Sequence, residues 1–305
     1  MRFSVVVPTF NSSLVLERAV KSVLNQSLSP LELLVVDDGS TDNSEEIIRA
    51  YGDRVRYFRL SHTGFPAIVR NHGILKCRGT HVAFLDSDDA WHSDKLAKVA
   101  EAISEHPDAG VYYSDFIAVD ENLQFGNLVR CRNISQNAYR SLLGANPIAT
   151  STVVVRRECF SDCGMFREEI RGPEDWDLWI RISRKFAIVH IPLPLVEYTQ
   201  HKTVPCLSSS PDFFSNQRKV VERAFEADPE ITGMQKRCIL SSLHYGAARA
   251  EMFRRRDGAA VRHLVSSLRY NPIYLQSYAF LPIASIKFLV RATARFRNLG
   301  SSASQ

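Results

Sequence analysis

The sequence has no glycine before Gly39, which excludes two common kinds of phosphate-binding loop. Both the G-x-G-x-x-G fingerprint and the P-loop need glycines directly after a strand and before a helix. Here the first predicted strand, at residues 3–7, leads instead into the segment from Pro8 to Asn11. The sequence therefore argues against an NAD enzyme and against a P-loop NTPase. Any bound phosphate must be met by a metal, an arginine or loop amides.

Long apolar runs and metal-type cysteine pairs are also missing. No apolar run reaches the roughly 20 residues needed to cross a bilayer. The first predicted strand begins almost at Met1, so we expect no signal peptide. Of the six cysteines, Cys159 and Cys163 would share a helix face, but no second pair accompanies them. We therefore expect buried reduced thiols in a cytoplasmic protein, either soluble or peripheral on the inner face of the membrane.

Positive charge is concentrated in the last third of the chain. Residues 1–211 carry 23 Lys and Arg against 26 Asp and Glu, whereas residues 212–305 carry 15 against 7, a net charge of +8. Such an excess is typical of a solvated helix face. It is equally typical of a surface that contacts anionic lipid or a phosphorylated acceptor. Both interpretations stay open at this point.

Strand and helix patterns alternate through the first 120 residues, which predicts an α/β fold with a mostly parallel sheet and helices on both faces. The predicted strands are residues 3–7, 31–36, 55–60, 81–85 and 109–119. The predicted helices are residues 14–26, 66–76 and 94–106, with a short one around 45–48. Further along, the pattern predicts strands at 150–157 and 187–191, a helix at 175–185, a loop at 203–211, a helix pair at 247–255 and 259–270, and a helical stretch at 273–297 with basic residues in its second half.

Two acidic segments each follow a predicted buried strand. They are Asp37-Asp38-Gly39-Ser40 and Asp86-Ser87-Asp88-Asp89. Loops at the carboxyl ends of parallel strands gather at one edge of a sheet, so the two segments should meet there. Close carboxylates repel by roughly 4 kcal/mol per pair at 4 Å and an effective dielectric near 20. A hard cation such as Mg²⁺ or Mn²⁺ would offset this repulsion. Taken alone, the first segment is also typical of a polar turn with a helix cap.

Two other segments carry chemistry that the acidic loops lack. Arg70 lies between the two acidic segments in sequence and could bridge them as an ion pair or hold a diphosphate. Glu174 and Asp175 begin a predicted helix, where the helix dipole stabilises acids, so capping is one interpretation. They stand beside Trp176 and Trp179, and aromatic faces commonly contact sugar rings. A carboxylate beside such rings could instead take a proton from an acceptor hydroxyl.

Five segments, taken in order, resemble the motifs of glycosyltransferase family 2. They are residues 5–11 (Val-Val-Val-Pro-Thr-Phe-Asn), 35–42 (Val-Val-Asp-Asp-Gly-Ser-Thr-Asp), 70–73 (Arg-Asn-His-Gly), 84–91 (Phe-Leu-Asp-Ser-Asp-Asp-Ala-Trp) and 174–181 (Glu-Asp-Trp-Asp-Leu-Trp-Ile-Arg). Each segment is weak alone, but five in order are a strong signal. The resemblance covers residues 3–201. It implies a Rossmann-like GT-A fold and inverting transfer of a sugar from a nucleotide diphosphate-sugar to a hydroxyl acceptor, assisted by Mg²⁺ or Mn²⁺.

The resemblance also implies a role for each site residue. The implied nucleotide-binding residues are Pro8, Thr9 and Phe10 in the nucleotide pocket, Asp38 at the base, Arg70 near the diphosphate and Asp86 at the ribose or the metal. The implied metal ligands are Asp88 as the principal one, with Asp86 and His201. Asp175 is implied as the catalytic base, with Glu174 and Trp176 shaping the acceptor pocket.

From this resemblance we expect a GT-A domain over residues 1–211, and the charge and helical pattern of the remaining chain predict a basic helical region over 212–305 that carries no family motif. Within the domain, residues 1–120 would form the nucleotide-binding half and residues 121–211 the acceptor-binding half. A UDP-sugar is favoured as donor, with a saccharide or lipid-linked saccharide as acceptor in bacterial cell-surface polysaccharide or lipid-linked oligosaccharide synthesis. The basic C-terminal helices would make peripheral membrane contact, and no nucleic-acid partner is expected.

Three alternative functions fit parts of the sequence. A sugar-phosphate nucleotidyltransferase would carry a Gly- and Arg/Lys-rich N-terminal loop, which residues 7–11 do not supply. A hydrolase could use two carboxylates such as Asp88 and Asp175, and would release free sugar without an acceptor. A non-catalytic nucleotide-sugar binding protein would keep the nucleotide loops but would have no need of Asp175.

Overall fold

The computed structural model describes residues 1–120, 122–124, 126–201, 210 and 212–287. The chain divides into two compact units, one of residues 1–142 with 146–220 and one of residues 143–145 with 221 onward. The domain boundary at residue 211 stays a prediction. Most of the predicted loop at 203–211 lies outside the described residues, as does the basic half of the predicted stretch 273–297, with Arg291, Arg295 and Arg297.

Up to residue 200 the chain alternates strands and helices, and the α/β fold class is confirmed. The strands are β1 (Phe3–Thr9), β2 (Glu32–Asp37), β3 (Arg56–Arg59), β4 (His81–Phe84), β5 (Ala90–Trp91), β6 (Val111–Asp120), β7 (Leu128–Val129), β8 (Val154–Arg156) and β9 (Ile188–Gln200). The α-helices are α1 (Leu16–Leu24), α2 (Ser44–Arg49), α3 (Pro66–Lys76), α4 (Lys95–Glu105), α5 (Ala138–Gly144), α6 (Glu158–Cys163) and α7 (Glu174–Ser183). One-turn 3-10 helices lie at Gly52–Arg54 and Thr150–Thr152.

In the described part of the chain, nine strands form one sheet in the order β3-β2-β1-β4-β8-β6-β9-β5, with β7 paired to β6. The first four strands are parallel, as predicted. The other half is mixed, because β8 is antiparallel to both β4 and β6, and β5 is antiparallel to β9. Since β1, β2 and β4 run the same way, the segments that follow them lie along one edge of the sheet.

The core forms where α1 packs on the parallel half of the sheet. Leu16, Ala19, Val20 and Val23 recur at helical spacing, and all four are fully buried. They join one hydrophobic cluster with strand residues of β1 and β2. Both faces of β1 are covered, since its valines are buried at consecutive positions 5–7. This is typical of a parallel sheet between helical layers.

The segment at residues 150–157 differs from the predicted continuous strand. Residues 150–152 form a 3-10 turn, and the strand begins only at Val154. The reason is local, because the amide and the hydroxyl of Thr152 both donate to the carbonyl of Ala149, at 2.9 and 2.7 Å. Hydroxyl side chains that bond nearby backbone compete with strand pairing in this way. β9 is also longer than predicted, since pairing with β6 continues through Pro192 and Pro194 with register shifts at residues 114–117.

The second part of the chain is helical, as predicted. Its helices are α8 (Phe213–Ala227), α9 (Gly233–Phe253) and α10 (Asp257–Tyr270), followed by helical residues 275–287. A capping box starts α9, in which the side chains of Thr232 and Gln235 each accept from the other's backbone amide. Ala248, Ala260 and Leu264 form the small core of this unit. Within the described residues, no helix has the length and apolar character that a membrane crossing requires.

Three of the described cysteines fit the expectation of buried thiols. Cys77, Cys131 and Cys159 are buried and unbridged, and burial raises the pKa of each thiol to about 12. Cys238 is exposed instead, and Cys206 lies outside the described residues. The buried thiols are therefore packing residues and poor nucleophiles.

Lys95, at the start of α4, is fully buried. Its Nζ donates to the carbonyl of Thr152 at 2.9 Å and lies 5.2 Å from the centre of the Trp91 ring. Burial lowers the pKa of its ammonium from 10.5 to about 7. Between these two values the unfolded chain binds a proton that the folded chain does not, so this group makes stability rise with pH over that range.

We expect Lys95→Met to remove this pH dependence. As pH falls from 10 toward 7, the free energy of unfolding of the variant should increase relative to that of the wild type, by up to about 1.4 kcal/mol per pH unit. Urea unfolding at several pH values measures the difference. Lys98→Met, at an exposed lysine of the same helix that pairs with Glu101, is the matched control and should show no such gain. A constant difference for Lys95→Met would contradict the prediction.

Candidate active site

Asp37 ends β2 and Asp38 follows it, and the two carboxylates have different surroundings. Asp37 is fully buried, and its carboxylate accepts from the amide and hydroxyl of Ser40 and from the Tyr57 hydroxyl, at 2.5–2.8 Å. Gly39, which follows Asp38, has φ +78°, and a Cβ there would lie 2.8 Å from the backbone nitrogen of His62. Asp37 therefore closes the turn after β2, and only glycine suits the position that follows Asp38.

Asp38 binds the loop at residues 62–64 through its carboxylate. Thr63 donates its amide and its hydroxyl to one oxygen, both at 2.8 Å, and the Gly64 amide donates to the other at 2.8 Å. The Nδ1 of His62 lies 3.1 Å from the second oxygen. The structure thus shows that Asp38 orders a loop at the sheet edge. Its contact with a nucleotide base stays a prediction.

The loop places the His62 ring on Phe10. The two rings are stacked with centroids 4.1 Å apart and planes 19° from parallel. Phe10 is half-exposed at the end of β1, whereas Thr9 is buried and Pro8 pairs with Val36 inside the sheet. Of the three residues predicted to line the nucleotide pocket, Phe10 offers the most exposed surface. The sequence motifs did not include His62, which carries no signal of its own beyond lying before Thr63.

Arg70, in α3, connects the second acidic segment to α7. Its guanidinium donates to Asp86 at 2.7 Å and to Glu174 at 2.8 Å, and it is almost fully buried. Burial alone would lower the pKa of Arg70, but the charges of Asp86 and Glu174 outweigh burial and raise it. Arg70 thus forms an ion pair with the second acidic segment, but its other partner is Glu174 of α7, so it does not bridge the two acidic segments as one interpretation predicted. A contact between Arg70 and a diphosphate stays a prediction.

The backbone of the second acidic segment is held by side chains from distant elements. Arg18 of α1 donates to the carbonyl oxygen of Asp88 at 2.5 Å, and so does the Thr199 hydroxyl of β9. The Thr199 amide donates to the buried carboxylate of Asp89 at 2.8 Å. Burial, together with the charges of Asp88 and Asp86, raises the pKa of Asp89 well above its usual range. The loop is thus fixed between the first helix and the last strand.

The carboxylate of Asp88 faces His201, with Oδ2 2.6 Å from Nε2. Burial and the nearby Asp86 raise the pKa of Asp88, although the hydrogen bond and charge of His201 oppose the shift. The buried Oδ2 of Asp89 and Nδ1 of His201 have no hydrogen-bond partner in the described part of the chain. No cluster of three or more metal-ligating side chains occurs among those residues. An Asp–His pair that lacks a third ligand fits a hard cation that takes its remaining ligands from phosphate oxygens and water.

Glu174 and Asp175 begin α7, and both carboxylates are engaged. Glu174 is buried, and besides Arg70 it accepts from the Gly172 amide at 2.8 Å. Burial and the neighbouring Asp175 raise the pKa of Glu174 to about 7, although Arg70 opposes the shift. Burial also raises the pKa of Asp175. A carboxylate with a raised pKa beside an arginine is suited to receive a proton.

Trp176 lies behind these acids in the core. Its ring is 2% exposed, and its Nε1 donates to the carbonyl of Leu142 at 2.6 Å. Glu174 is likewise occupied by Arg70. Contacts of either residue with an acceptor stay predictions. The structure adds Thr150 and Asn146, which donate to Asp175 at 3.0 and 3.3 Å and which the sequence analysis missed because they lie outside its motifs.

Comparison with known proteins fits this geometry. The family model described as Glycosyl transferase family 2 matches residues 4–164, more than half of the chain. The chain belongs to glycosyl transferase family 2. An uncharacterised glycosyltransferase of Rickettsia conorii is 33% identical over 189 residues, which are 61% of this chain and 31% of that protein. The match thus spans less than a third of that relative.

Two other relatives are matched over most of their length. A PGL/p-HBAD biosynthesis glycosyltransferase of Mycobacterium bovis is 30% identical over 192 residues, which are 61% of this chain and 72% of that protein. A Bacillus subtilis glycosyltransferase named for teichuronic acid biosynthesis is 30% identical over 185 residues, which are 60% of this chain and 72% of that protein.

A solved structure shows the same fold. The crystal structure of residues 1–349 of TarS from S. aureus, in complex with UDP-GlcNAc, superposes with a TM-score of 0.68 at 21% identity. The alignment covers 94% of this chain and 88% of the TarS chain. The GT-A fold implied by the sequence motifs is therefore confirmed for this member of family 2.

We expect Arg70→Met to destabilise the protein by about 3–5 kcal/mol, because it leaves the buried carboxylate of Glu174 uncompensated and the half-buried Asp86 without its ion pair. Urea unfolding at pH 7.5 measures the change in the free energy of unfolding. Arg54→Met, at an exposed arginine of the same unit, is the control and should change stability by about 0.5 kcal/mol or less. Equal losses from the two variants would show that the bridge does not stabilise the fold.

Proposed function

We propose that this family 2 member is an inverting glycosyltransferase, one that moves a sugar from a nucleotide diphosphate-sugar to an acceptor hydroxyl. The observation that carries the proposal is the double ion pair of Arg70. It joins the acidic loop after β4 to the start of α7, and so brings Asp86 close to Asp175. A donor-binding loop and a proton-accepting carboxylate must lie this near each other for direct displacement.

In the proposed reaction, the acceptor oxygen attacks the anomeric carbon from the face opposite the diphosphate. The hydroxyl proton passes to the carboxylate of Asp175, and the bond from the anomeric carbon to the diphosphate oxygen breaks. The nucleoside diphosphate leaves with the electron pair, so the configuration inverts. A positioned base of this kind contributes about 10²–10⁴-fold in rate.

Charge on the departing diphosphate has to be balanced at the acidic edge. A Mg²⁺ or Mn²⁺ ion, when bound at Asp88 and His201 with Asp86 nearby, would supply Lewis-acid stabilisation of that charge. Arg70 supplies a fixed positive charge, because Asp86 and Glu174 raise the pKa of its guanidinium and keep it protonated. The stack of Phe10 and His62 offers an aromatic surface on which a base could lie, and Asp38 orders the loop that carries it.

A UDP-sugar is the favoured donor, supported by the UDP-GlcNAc complex of the structurally similar TarS. The acceptor class is a saccharide or lipid-linked saccharide. Relatives named for teichuronic acid and PGL/p-HBAD biosynthesis support a role in cell-surface polysaccharide or lipid-linked oligosaccharide synthesis. A nucleotidyltransferase is the alternative with least support, since family membership and fold both favour transfer of the sugar itself.

Asp175→Asn should abolish transfer and leave donor binding intact, because the amide keeps the shape but cannot take the proton. Two measurements test this: transfer assays with purified protein, and a thermal-shift panel of UDP-, GDP- and dTDP-sugars with and without Mn²⁺. The same donor should stabilise both proteins, since a ligand that binds the folded state raises its stability by mass action. Turnover at the wild-type rate would refute the role of Asp175. Sugar release without an acceptor would favour the hydrolase.

Peripheral membrane contact through the C-terminal helices is supported by an exposed apolar stripe. Leu275, Tyr278, Ile283 and Ile286 share one face of helical residues 275–287 and are 45–77% exposed. The opposite face is buried, with Ala284 fully covered. The stripe lies in the segment that carries the net charge of +8. Apolar surface beside basic residues is suited to an anionic lipid interface.

The full chain should therefore sediment with phosphatidylglycerol-containing vesicles, and more weakly with pure phosphatidylcholine. We expect high salt to reduce binding, and the double variant Leu275→Ser/Ile286→Ser to lose most of it. Leu75→Ser removes a similarly exposed leucine from α3 and is the matched control. Absence of wild-type binding, or equal losses in the double variant and the control, would overturn membrane contact.

A further inference from the structure

The 3-10 turn Thr150–Thr152 contacts three separate parts of the candidate site and its support. Thr150 reaches the start of α7, Ser151 reaches the acidic loop after β4, and Thr152 reaches α4. All three residues are buried. None belongs to the motifs of the sequence, and the mechanism above gives none of them a role. The inference below rests on the proposed function, since it concerns the base of that reaction.

Thr150 determines how the Asp175 carboxylate is presented. Its Oγ1 donates to Oδ2 of Asp175 at 3.0 Å, and the side-chain amide of Asn146 donates to the same oxygen at 3.3 Å. The other oxygen, Oδ1, accepts from the amide of Trp176 at 2.6 Å. A carboxylate oxygen has two lone pairs, so Oδ2 is filled by its two donors and Oδ1 keeps one lone pair for a further donor.

The turn itself is held by side chains of β5 and α4. The Ser151 carbonyl accepts from Trp91 Nε1, and the Thr152 carbonyl accepts from Lys95 Nζ, both at 2.9 Å. On the other side, the Ser151 hydroxyl accepts from the amide of Asp86 at 3.0 Å. One rigid turn thus holds both the acidic loop and the acid of α7. The two contacts come from the adjacent residues Ser151 and Thr150.

We propose that the Thr150–Thr152 turn is the positioning element of the active site, with the Thr150 hydroxyl orienting Asp175 so that Oδ1 receives the acceptor's proton. Thr150 acts through Asp175 and does not itself react. Ser151 keeps the donor-binding loop in register with that oxygen. The turn therefore couples the place where the nucleotide-sugar is held to the atom that accepts the proton.

Four other charged or titratable groups interact with Asp175, and a test of Thr150 has to leave them unchanged. Arg70 of α3 lowers the pKa of Asp175, whereas Asp86 of the acidic loop raises it. Glu174 precedes Asp175 on the same helix, and Tyr198 of β9 also interacts with it electrostatically. The hydrogen bond from Thr150 is a separate contribution that favours the ionised form. A substitution at Thr150 alters this bond and leaves all four other groups in place.

The test compares Thr150→Val, which keeps the shape but loses the hydroxyl, with Thr150→Ser, which restores it. In Thr150→Val the acid limb of the pH profile of kcat/KM should move up by about one pH unit, because a hydrogen bond to a charged group is lost. The kcat at neutral pH should fall about tenfold, and the donor KM should stay unchanged. Thr150→Ser should return the acid limb toward the wild-type position.

Thr152→Val is the matched control. It removes a hydroxyl from the same turn, one that bonds the Ala149 carbonyl and not Asp175. A loss of stability without movement of the acid limb is expected. If Thr150→Val also lowers stability without moving the limb, the turn has a structural role only and the inference is overturned.

A second measurement keeps this inference distinct from the proposed function. The pKa of the Asp175 carboxyl can be followed by carbon NMR in protein without donor or acceptor, and it should rise in Thr150→Val and recover in Thr150→Ser. An unchanged carboxyl pKa would overturn the role of Thr150 even if the wild type transfers sugar. A wild type that transfers no sugar from any nucleotide-sugar would refute the proposed function, while the NMR result would still decide whether Thr150 controls Asp175.

Discussion

One buried guanidinium compensates the buried carboxylate of Glu174 and the half-buried carboxylate of Asp86. Arg70 is held by α3, Asp86 by the loop after β4 and Glu174 by the start of α7, so the bridge ties three elements together. Burial of any of these charges alone would cost several kcal/mol. Because Arg70 meets both acids at short range, the acidic edge of the sheet and the helix carrying Asp175 can lie side by side.

The two aspartates at the end of β2 are neighbours in sequence but bind different parts of the structure. Asp37 points into the protein and closes its own turn through Ser40 and Tyr57. Asp38 instead orders a separate loop, which brings His62 against Phe10. The alternative of a polar turn thus describes Asp37 well. Asp38 takes no part in that turn, and its buried carboxylate is occupied by the loop at residues 62–64.

Much of the fold could be predicted because its signals are local. The helix Pro66–Lys76 has the predicted bounds, since proline suits the first turn of a helix and the chain turns extended at Cys77. The acidic loops could be predicted as a site because carboxylates crowded after buried strands cost free energy unless solvent or a cation compensates them. Strand pairing in the second half was harder to predict, since β8 and β9 pair with strands far away in sequence and their β-branched or proline-containing segments resemble several structures at once.

The supporting contacts of the site could not be predicted from the sequence for a related reason. Thr150 and Asn146 are common residue types that lie 25 and 29 positions before Asp175 in the sequence. Only the folded chain brings them into contact with its carboxylate. Burial of Trp176 was also hidden, because an aromatic residue beside acids is equally compatible with a sugar platform and with the core. Residue types identify the chemistry of a site, whereas the residues that support its reactive side chains are brought there by long-range packing.

The clamp of Arg18 and Thr199 on the acidic loop acts through the main chain. Both side chains hold the main-chain carbonyl of residue 88 and make no use of its carboxylate. The main-chain path at residue 88 is therefore held by contacts that leave the Asp88 carboxylate for His201. Anchoring the loop and meeting a ligand thus fall to different atoms of a single residue.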